Sequence, residues 1–309
     1  MHSHVNSGAS RRLILSLGLT SLVLAAEVIG GIWTGSLALL SDAAHVFMDI
    51  FALALSYLAL RLSNLPANDR HSYGYHRLEV LAALVNGVTL AVIAVWIWGE
   101  AIERFQSPQD IRSLEMLIIA AIGLAVNLVV AFVLGSHTHT HNEGEEHHHS
   151  DGEQVPARQD LNLRAAYLHV VGDAISSVGV ILAGILVSIT RWQWVDPLIS
   201  VMIGALIMIS AYRVTRSSLH ILIEGTPEGL SVEEISTAMR QVNGVEEVHD
   251  LHVWSICSGN IALSAHIVAV QEFQSPLADI QEVLHRRFGI HHTTIQVDNG
   301  DKTNCGGCA

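Results

Sequence analysis

Long apolar stretches separated by short polar ones fill most of the chain, and then the pattern changes. Six stretches approach the ~20 apolar residues that a helix needs to cross hydrocarbon: Leu13 to Thr34, Leu37 to Leu60, Val80 to Gly99, Leu114 to Gly135, Ala165 to Ile189, and Pro197 to Tyr212. The first, a run of about 22 residues, exceeds the apolar core of a signal peptide and reads as a retained span. Beyond Tyr212 the hydropathy falls and shorter periods appear. Ser231 to Gln241 has helical spacing behind a Ser cap, with Glu234 three residues later as in a capping box. Val245 to Cys257 and Ile261 to Val270 read as strands joined by the hairpin signal Ser258-Gly259-Asn260, Pro276 to Phe288 as a second helix and Thr293 to Asp298 as a last strand. The order α-β-β-α-β predicts a ferredoxin-like sandwich. The expected fold class is therefore an α-helical membrane protein: an N-terminus at 1–12, six transmembrane helices within 13–223, and an α+β ferredoxin-like domain at 224–309.

Composition agrees with the spans. Half of the 309 residues are hydrophobic and only 15% are charged, with a mean hydropathy of +0.41, too apolar for an ordinary soluble protein of this length. Arginine sets the orientation. With the N-terminus inside, the inner flanks hold Arg11, Arg12, Arg61, Arg70, Arg77, Arg158, Arg164, Arg213 and Arg216, against Arg104, Arg112 and Arg191 outside. That bias places both termini and the tail in the cytoplasm. The tail from Glu224 onward has 12 acidic residues against four basic ones, which excludes a nucleic-acid partner. The loop at 137–160 contains His137, His139, His141, His147, His148 and His149 without apolar periodicity, and reads as a flexible cytoplasmic segment.

Ionisable residues interrupt two of the spans. In SDAAHVFMDI, Ser41 to Ile50, residues three, four and seven apart put Asp42, His45 and Asp49 on one face of span two. Such groups are expensive in hydrocarbon and point into a bundle or wet cavity, where they pair or bind ions. Span five repeats the spacing as His169 and Asp173. Two imidazoles and two carboxylates make an N₂O₂ set suited to tetrahedral Zn²⁺. The bland alternative is a pair of His/Asp hydrogen bonds joining helices. No His-Glu-x-x-His run occurs, so a zincin protease is not indicated. Glu27 in span one is isolated.

SLALLSDAAHVFMD in span two, HSYGYHRLEVLAALVN leading into span three, NLRAAYLHVVGDAISSVGV in span five and HDLHVW in the tail resemble the cation diffusion facilitators, nearest the zinc-efflux branch of bacterial zinc and cobalt–zinc–cadmium exporters. The resemblance implies a homodimeric metal/proton antiporter with six spans and a cytoplasmic ferredoxin-like domain, lying in a bacterial plasma membrane. Its transport site would fall on His45, Asp49, His169 and Asp173. Proton exchange also follows from charge: when a divalent ion leaves two carboxylates in a low-dielectric cavity, protons are its natural replacements.

Further metal ligands are expected outside the spans. Asp69 and His71 resemble a second, weaker site of some relatives, although Tyr75 stands where some have histidine. In the tail, His252, His266, His291 and Asp298 resemble one regulatory zinc cluster of the family, and His249, His266 and Asp298 a variant of it. Period-two alternation puts His249 and His252 on opposite faces of their strand, so the two are not expected to share an ion. Cys305-Gly-Gly-Cys308 has the spacing of a metal knuckle, which His2 and His4 could complete, from the partner protomer among other routes.

Three functions compete. The leading one is a secondary transporter exporting Zn²⁺, with Cd²⁺ or Co²⁺ as further substrates. A membrane-anchored zinc sensor without transport would have no need of ionisable ligands inside the bilayer. A hydrolase using metal-bound water would need an open coordination position, which four protein ligands do not leave.

Overall fold

The computed structural model describes residues 7–135, 174, 176–257, 259–269 and 276–298. His2, His4, His169, Asp173, Cys305, Cys308 and the His-rich loop lie outside the described residues. Six apolar helices come first: α1 (Ser7–Thr34), α2 (Leu37–Ser63), α3 (Arg77–Gln106), α4 (Ser113–Gly135), α5 (Ser176–Thr190) and α6 (Val195–Leu222). Among the described residues α2, α3 and α6 are long and apolar enough to span a membrane, and the apolar parts of α1 and α4, like α5, are shorter.

The chain divides into two compact units, one holding residues up to Leu53 and Thr89–Ala211, the other Ala54–Val88 and everything from Tyr212 onward. In the first unit Leu39, Met48, Ile97, Met116, Val180 and Ile207 form part of a continuous apolar core. The same helices expose Ile29, Ile32, Leu53, Val92, Ile189 and Leu206. Apolar residues on both faces are what hydrocarbon surroundings permit and water does not. Helices α1 and α4 approach closely where side chains are missing: a Cβ on Gly30 would collide with Ile119, and one on Gly123 would lie 2.8 Å from Glu27 Oε1.

The start of α2 shows how a helix end is satisfied in a water-poor setting. Gly35 turns the chain with φ +74°, the left-handed region that suits glycine. The first backbone N–H groups of a helix have no partner within it. Here the N–H groups of Leu37 and Ala38 donate to the buried Asp196 carboxylate of α6, at 2.8 and 3.2 Å. Leu39 N donates to Ser36 Oγ at 3.1 Å, and Leu40 N to Ser36 O at 3.3 Å. Ser36 Oγ in turn donates to Asp196 Oδ1 at 2.5 Å. Arg104 of α3 balances the carboxylate at 3.8 Å, donates to Glu100 Oε1 at 3.0 Å and also to the carbonyl of Gly35.

In the second unit the tail forms α7 (Val232–Arg240), β1 (Val245–Cys257), β2 (Asn260–Ala269), α8 (Leu277–Phe288) and β3 (His292–Asp298). The expected α-β-β-α-β order is present, with boundaries shifted by a residue. Ser231 caps α7 by accepting from Glu234 N. Gly289, at φ 67°, closes α8 with its N–H on His285 O while Ile290 N reaches Leu284 O. The sheet order is β1-β2-β3, antiparallel between the first pair and parallel between the second. Ile235 and Met239 of α7 and Ile280 and Leu284 of α8 cover one face, packing on Val248, Val253, Leu263 and Ile267. The other face carries Ser264 and His266 of β2 beside the apolar Ala262 and Val268. In the same unit Arg77, the first residue of α3, pairs with Glu224 at 2.9 Å.

Candidate metal sites

The sheet face turned away from α7 and α8 carries the histidines, and a β-bulge decides which of them meet. His249 of β1 lies opposite His266 of β2, but the next paired residue is His252, opposite Ser264, so β1 has one extra residue between them. Asp250, at φ 49°, sits in the bulge. Ser264 and His266 are two apart on β2 and share a face, so their partners His252 and His249 share it too. The expectation that His249 and His252 lie on opposite faces is overturned, because the bulge cancels the odd spacing. The core side shows the same shift: Val248 and Val253, five apart, are both buried.

His249, His266 and Asp298 form the one group of three metal-ligating side chains found among the described residues. His266 Nδ1 is 3.1 Å and His249 Nε2 3.3 Å from the same oxygen, Asp298 Oδ2. Zinc–ligand bonds of about 2.0 Å give a tetrahedron edges of about 3.3 Å. The Asp298 oxygen therefore stands at a tetrahedral edge length from each imidazole nitrogen, and all three donors lie within 4.8 Å of one another. Asp298 Oδ1 accepts from Gln296 Nε2 at 2.9 Å, which turns the second oxygen toward the imidazoles. This hydrogen bond, with help from the imidazoles of His266 and His249, holds the Asp298 carboxyl below the usual aspartate range.

The grouping follows the second of the two expected tail clusters. His252 lies on the shared face but binds Asp250 Oδ1 at 3.0 Å. His291 packs its ring edge-on against His285, with centroids 4.2 Å apart. Two relevant residues were missed in the sequence. Asp250 is hidden by the bulge, whose signal is the odd spacing of the apolar residues Val248 and Val253. Gln296 offers no ligand atom of the usual kind. Cys257 is buried, and burial pushes its thiol above the ordinary cysteine value.

In α2, His45 Nε2 stands 3.8 Å from Asp49 Oδ2, each side chain about a quarter exposed at 27% and 26%. Asp42, one turn earlier, is only 3% exposed and ties α2 to α5: Ser176 Oγ donates to it at 2.6 Å and Ser177 Oγ at 3.3 Å. Glu27 is buried against α4 at Gly123. The loop at 64–76 is closed by its own groups. Asn68 Oδ1 accepts from Arg70 N and His71 N, Asn68 Nδ2 donates to the Tyr75 hydroxyl at 3.0 Å, and the His71 and Tyr75 rings are 4.6 Å apart. Asp69 and His71 gain no third ligand there among the described residues.

Comparison with known proteins matches two family models to successive parts of the chain. Residues 13–223 match the model of the cation efflux transmembrane domain, and residues 227–300 that of the cation efflux protein cytoplasmic domain. A cadmium, cobalt and zinc/H⁺-K⁺ antiporter of Bacillus subtilis is 41% identical over 303 residues, covering 96% of this chain and 91% of the relative. The zinc transporter ZitB of Pectobacterium atrosepticum is 38% identical over 96% of this chain and 88% of its own length. For the metal cation efflux system protein CzcD of Cupriavidus metallidurans the identity is 37%, over 96% and 89%. A solved metal-bound C-terminal domain of the CzcD transporter is 29% identical, covers 22% of this chain and 99% of that one, and has a TM-score of 0.22. With ionisable residues on a spanning helix, a His/Asp cluster on its tail sheet and both family models matched in order, the chain belongs to the cation efflux family.

Proposed function

We propose that this protein exports divalent transition-metal ions, Zn²⁺ foremost with Cd²⁺ and Co²⁺ as further substrates, from the cytoplasm in exchange for protons. The relatives are named as zinc, or cadmium, cobalt and zinc, transporters. The observation that carries the reading is the face of α2 holding Asp42, His45 and Asp49, with Asp42 bound to Ser176 and Ser177 of α5. Those serines stand three and four positions after Asp173. For two antiparallel helices paired at Asp42, sequence spacing alone carries His45 toward position 173 and Asp49 toward position 169. That register supports a tetrad of His45, Asp49, His169 and Asp173, two imidazoles and two carboxylates, as the transport site. A sensor without transport would have no use for it.

The rest of the reading is six spans with both termini in the cytoplasm of a bacterial plasma membrane, a ferredoxin-like tail, and a homodimer. The cytoplasmic family model, whose short name refers to a dimer, and the α-β-β-α-β order support the last two. The tail cluster of His249, His266 and Asp298 would hold a regulatory Zn²⁺, and the spacing of its donors supports that. Asp69 with His71, and Cys305 and Cys308 with His2 and His4, would bind metal only with help from groups beyond themselves.

The test is metal uptake by the purified protein in proteoliposomes, with and without a pH gradient, for the parent and for Asp49→Ala and Asp173→Ala. The two carboxylates are the tetrad's formal charges, so each variant should lose flux while remaining inserted. Flux near that of the parent in either variant, at equal abundance, overturns the tetrad. Uptake indifferent to the pH gradient overturns proton exchange, and varying K⁺ separates the second counter-ion named for the Bacillus relative.

A further inference from the structure

The tail cluster has a carboxylate behind it that no ligand set includes. Asp250 occupies the β1 bulge at φ 49°, a conformation that aspartate and asparagine tolerate better than most residues. The extra residue brings its side chain onto the sheet face that bears the cluster. There one oxygen meets His252 Nε2 at 3.0 Å and the other lies 3.8 Å from His266 Nε2. The opposite nitrogen of the same ring, His266 Nδ1, hydrogen-bonds Asp298 Oδ2 at 3.1 Å, and a metal ion bound there would take the place of that proton.

A neutral imidazole has one nitrogen that donates and one that can ligate, and the partner of the first fixes the second. Metal-bound histidines commonly give their other N–H to a carboxylate, which sets the tautomer and ring orientation. We propose that Asp250 is a positioning residue for the tail metal site: facing Nε2–H of His266, it leaves Nδ1 as the metal-directed nitrogen. At 3.8 Å the contact is one of charge with the N–H dipole rather than a hydrogen bond. A cation on Nδ1 makes that N–H a stronger donor, so the contact tightens when the site is filled. The bond from Asp250 Oδ1 to His252 steadies the carboxylate, and it explains why His252, on the correct face, stands beside the cluster instead of in it.

This inference rests on the tail cluster binding zinc, and the experiment separates the two. In the full-length protein carrying Asp49→Ala to silence the transport site, Zn²⁺ affinity is measured by competition with a chelating dye, and Co²⁺ is added for its visible spectrum. Asp250→Asn and Asp250→Gly both fit the bulge backbone but lack the carboxylate, whereas Asp250→Ala also strains it. All three should weaken one class of zinc by about 10- to 100-fold, with the intense tetrahedral Co²⁺ bands of that class reduced and the unfolding midpoint of the metal-free protein unchanged for Asn and Gly. If only Ala weakens binding, Asp250 serves the backbone and the proposal fails. If His266→Ala with Asp298→Ala removes a zinc class that Asn and Gly leave at parental affinity, the tail site stands and the role of Asp250 is overturned. If the double variant removes no zinc at all, the tail site itself is wrong and the inference falls with it.

Discussion

Replacing Asp196 tests how the helix carrying His45 and Asp49 is held. The carboxylate is fully buried and accepts from Ser36 Oγ, Leu37 N and Ala38 N, with Arg104 beside it. In Asp196→Ala the two backbone donors at the start of α2 lose their acceptor, and loss of a helix cap costs about 1 to 2 kcal/mol. Arg104 is also left in a buried position with less compensation. Breaking a buried pair outright costs about 3 to 5 kcal/mol, but Arg104 keeps Glu100 and the Gly35 carbonyl, so about half of that applies. The expected total is about 3 to 4 kcal/mol, some 100- to 1000-fold in the folding equilibrium. Asp196→Asn retains one acceptor oxygen while turning an amide N–H₂ toward backbone N–H groups, and should cost about 2 kcal/mol. Ser36→Ala loses the bond to Leu39 N and the donor to Asp196, for about 1 to 2 kcal/mol. The assay is the unfolding midpoint of the detergent-solubilised protein in a denaturant titration, read by near-UV circular dichroism. An Asp196→Ala midpoint equal to the parent's, or an Asn variant less stable than the Ala variant, would refute the account.

Three other outcomes are expected. Asp42→Ala should destabilise the protein by about 1 to 3 kcal/mol through loss of both serine bonds, and Ser176→Ala with Ser177→Ala should reproduce most of it; the same titration checks both, and additive losses would show that the serines and Asp42 act separately. Deleting His137 to His149 should leave the maximal zinc rate in proteoliposomes near the parental one, because the loop lies outside the proposed transport site, and complete loss at saturating zinc would contradict that. Because the Asp298 carboxyl is held low in the folded tail, its contribution is present above the ordinary aspartate value of about 3.9 and is lost as pH falls through its depressed value; Asp298→Asn should flatten the acid limb of tail unfolding, and an unchanged acid limb would contradict the hydrogen-bond account.

The tail was legible because its signals are local. The Ser231 cap, the Gly259 hairpin and the two strand periods each act within a few residues, and their boundaries fall within a residue of those expected. The metal face was only half legible. His266 and Asp298 are legible only through the family resemblance, and strand period puts His249 and His252 on opposite faces because a bulge changes parity without changing residue type. On α2, the shared face of Asp42, His45 and Asp49 follows from helical spacing, whereas the partners of Asp42 do not. A buried aspartate bound to two serines 134 and 135 residues away is a product of packing. Asp196 shows the same limit more sharply: in sequence it is an acidic residue before a proline at the start of a span, and its work is done at the start of a different helix.

These two aspartates give α2 its mechanical character. The first turn is held by Asp196 of α6, and the second by Asp42 through α5, with nearly every donor and acceptor buried. His45 and Asp49 follow one and two turns later, where exposure rises to about a quarter. Past Leu53 the helix belongs to the other compact unit. Any change of access at His45 and Asp49 must then keep the hydrogen bonds of the first two turns or break several at once. Breaking them costs several kcal/mol where no water replaces the lost partners. An exchanger cycling between two openings has no use for a step of that size. The physical expectation is therefore that α2 keeps the fastening of its first two turns through the cycle and that access to His45 and Asp49 is controlled by what packs on their exposed side.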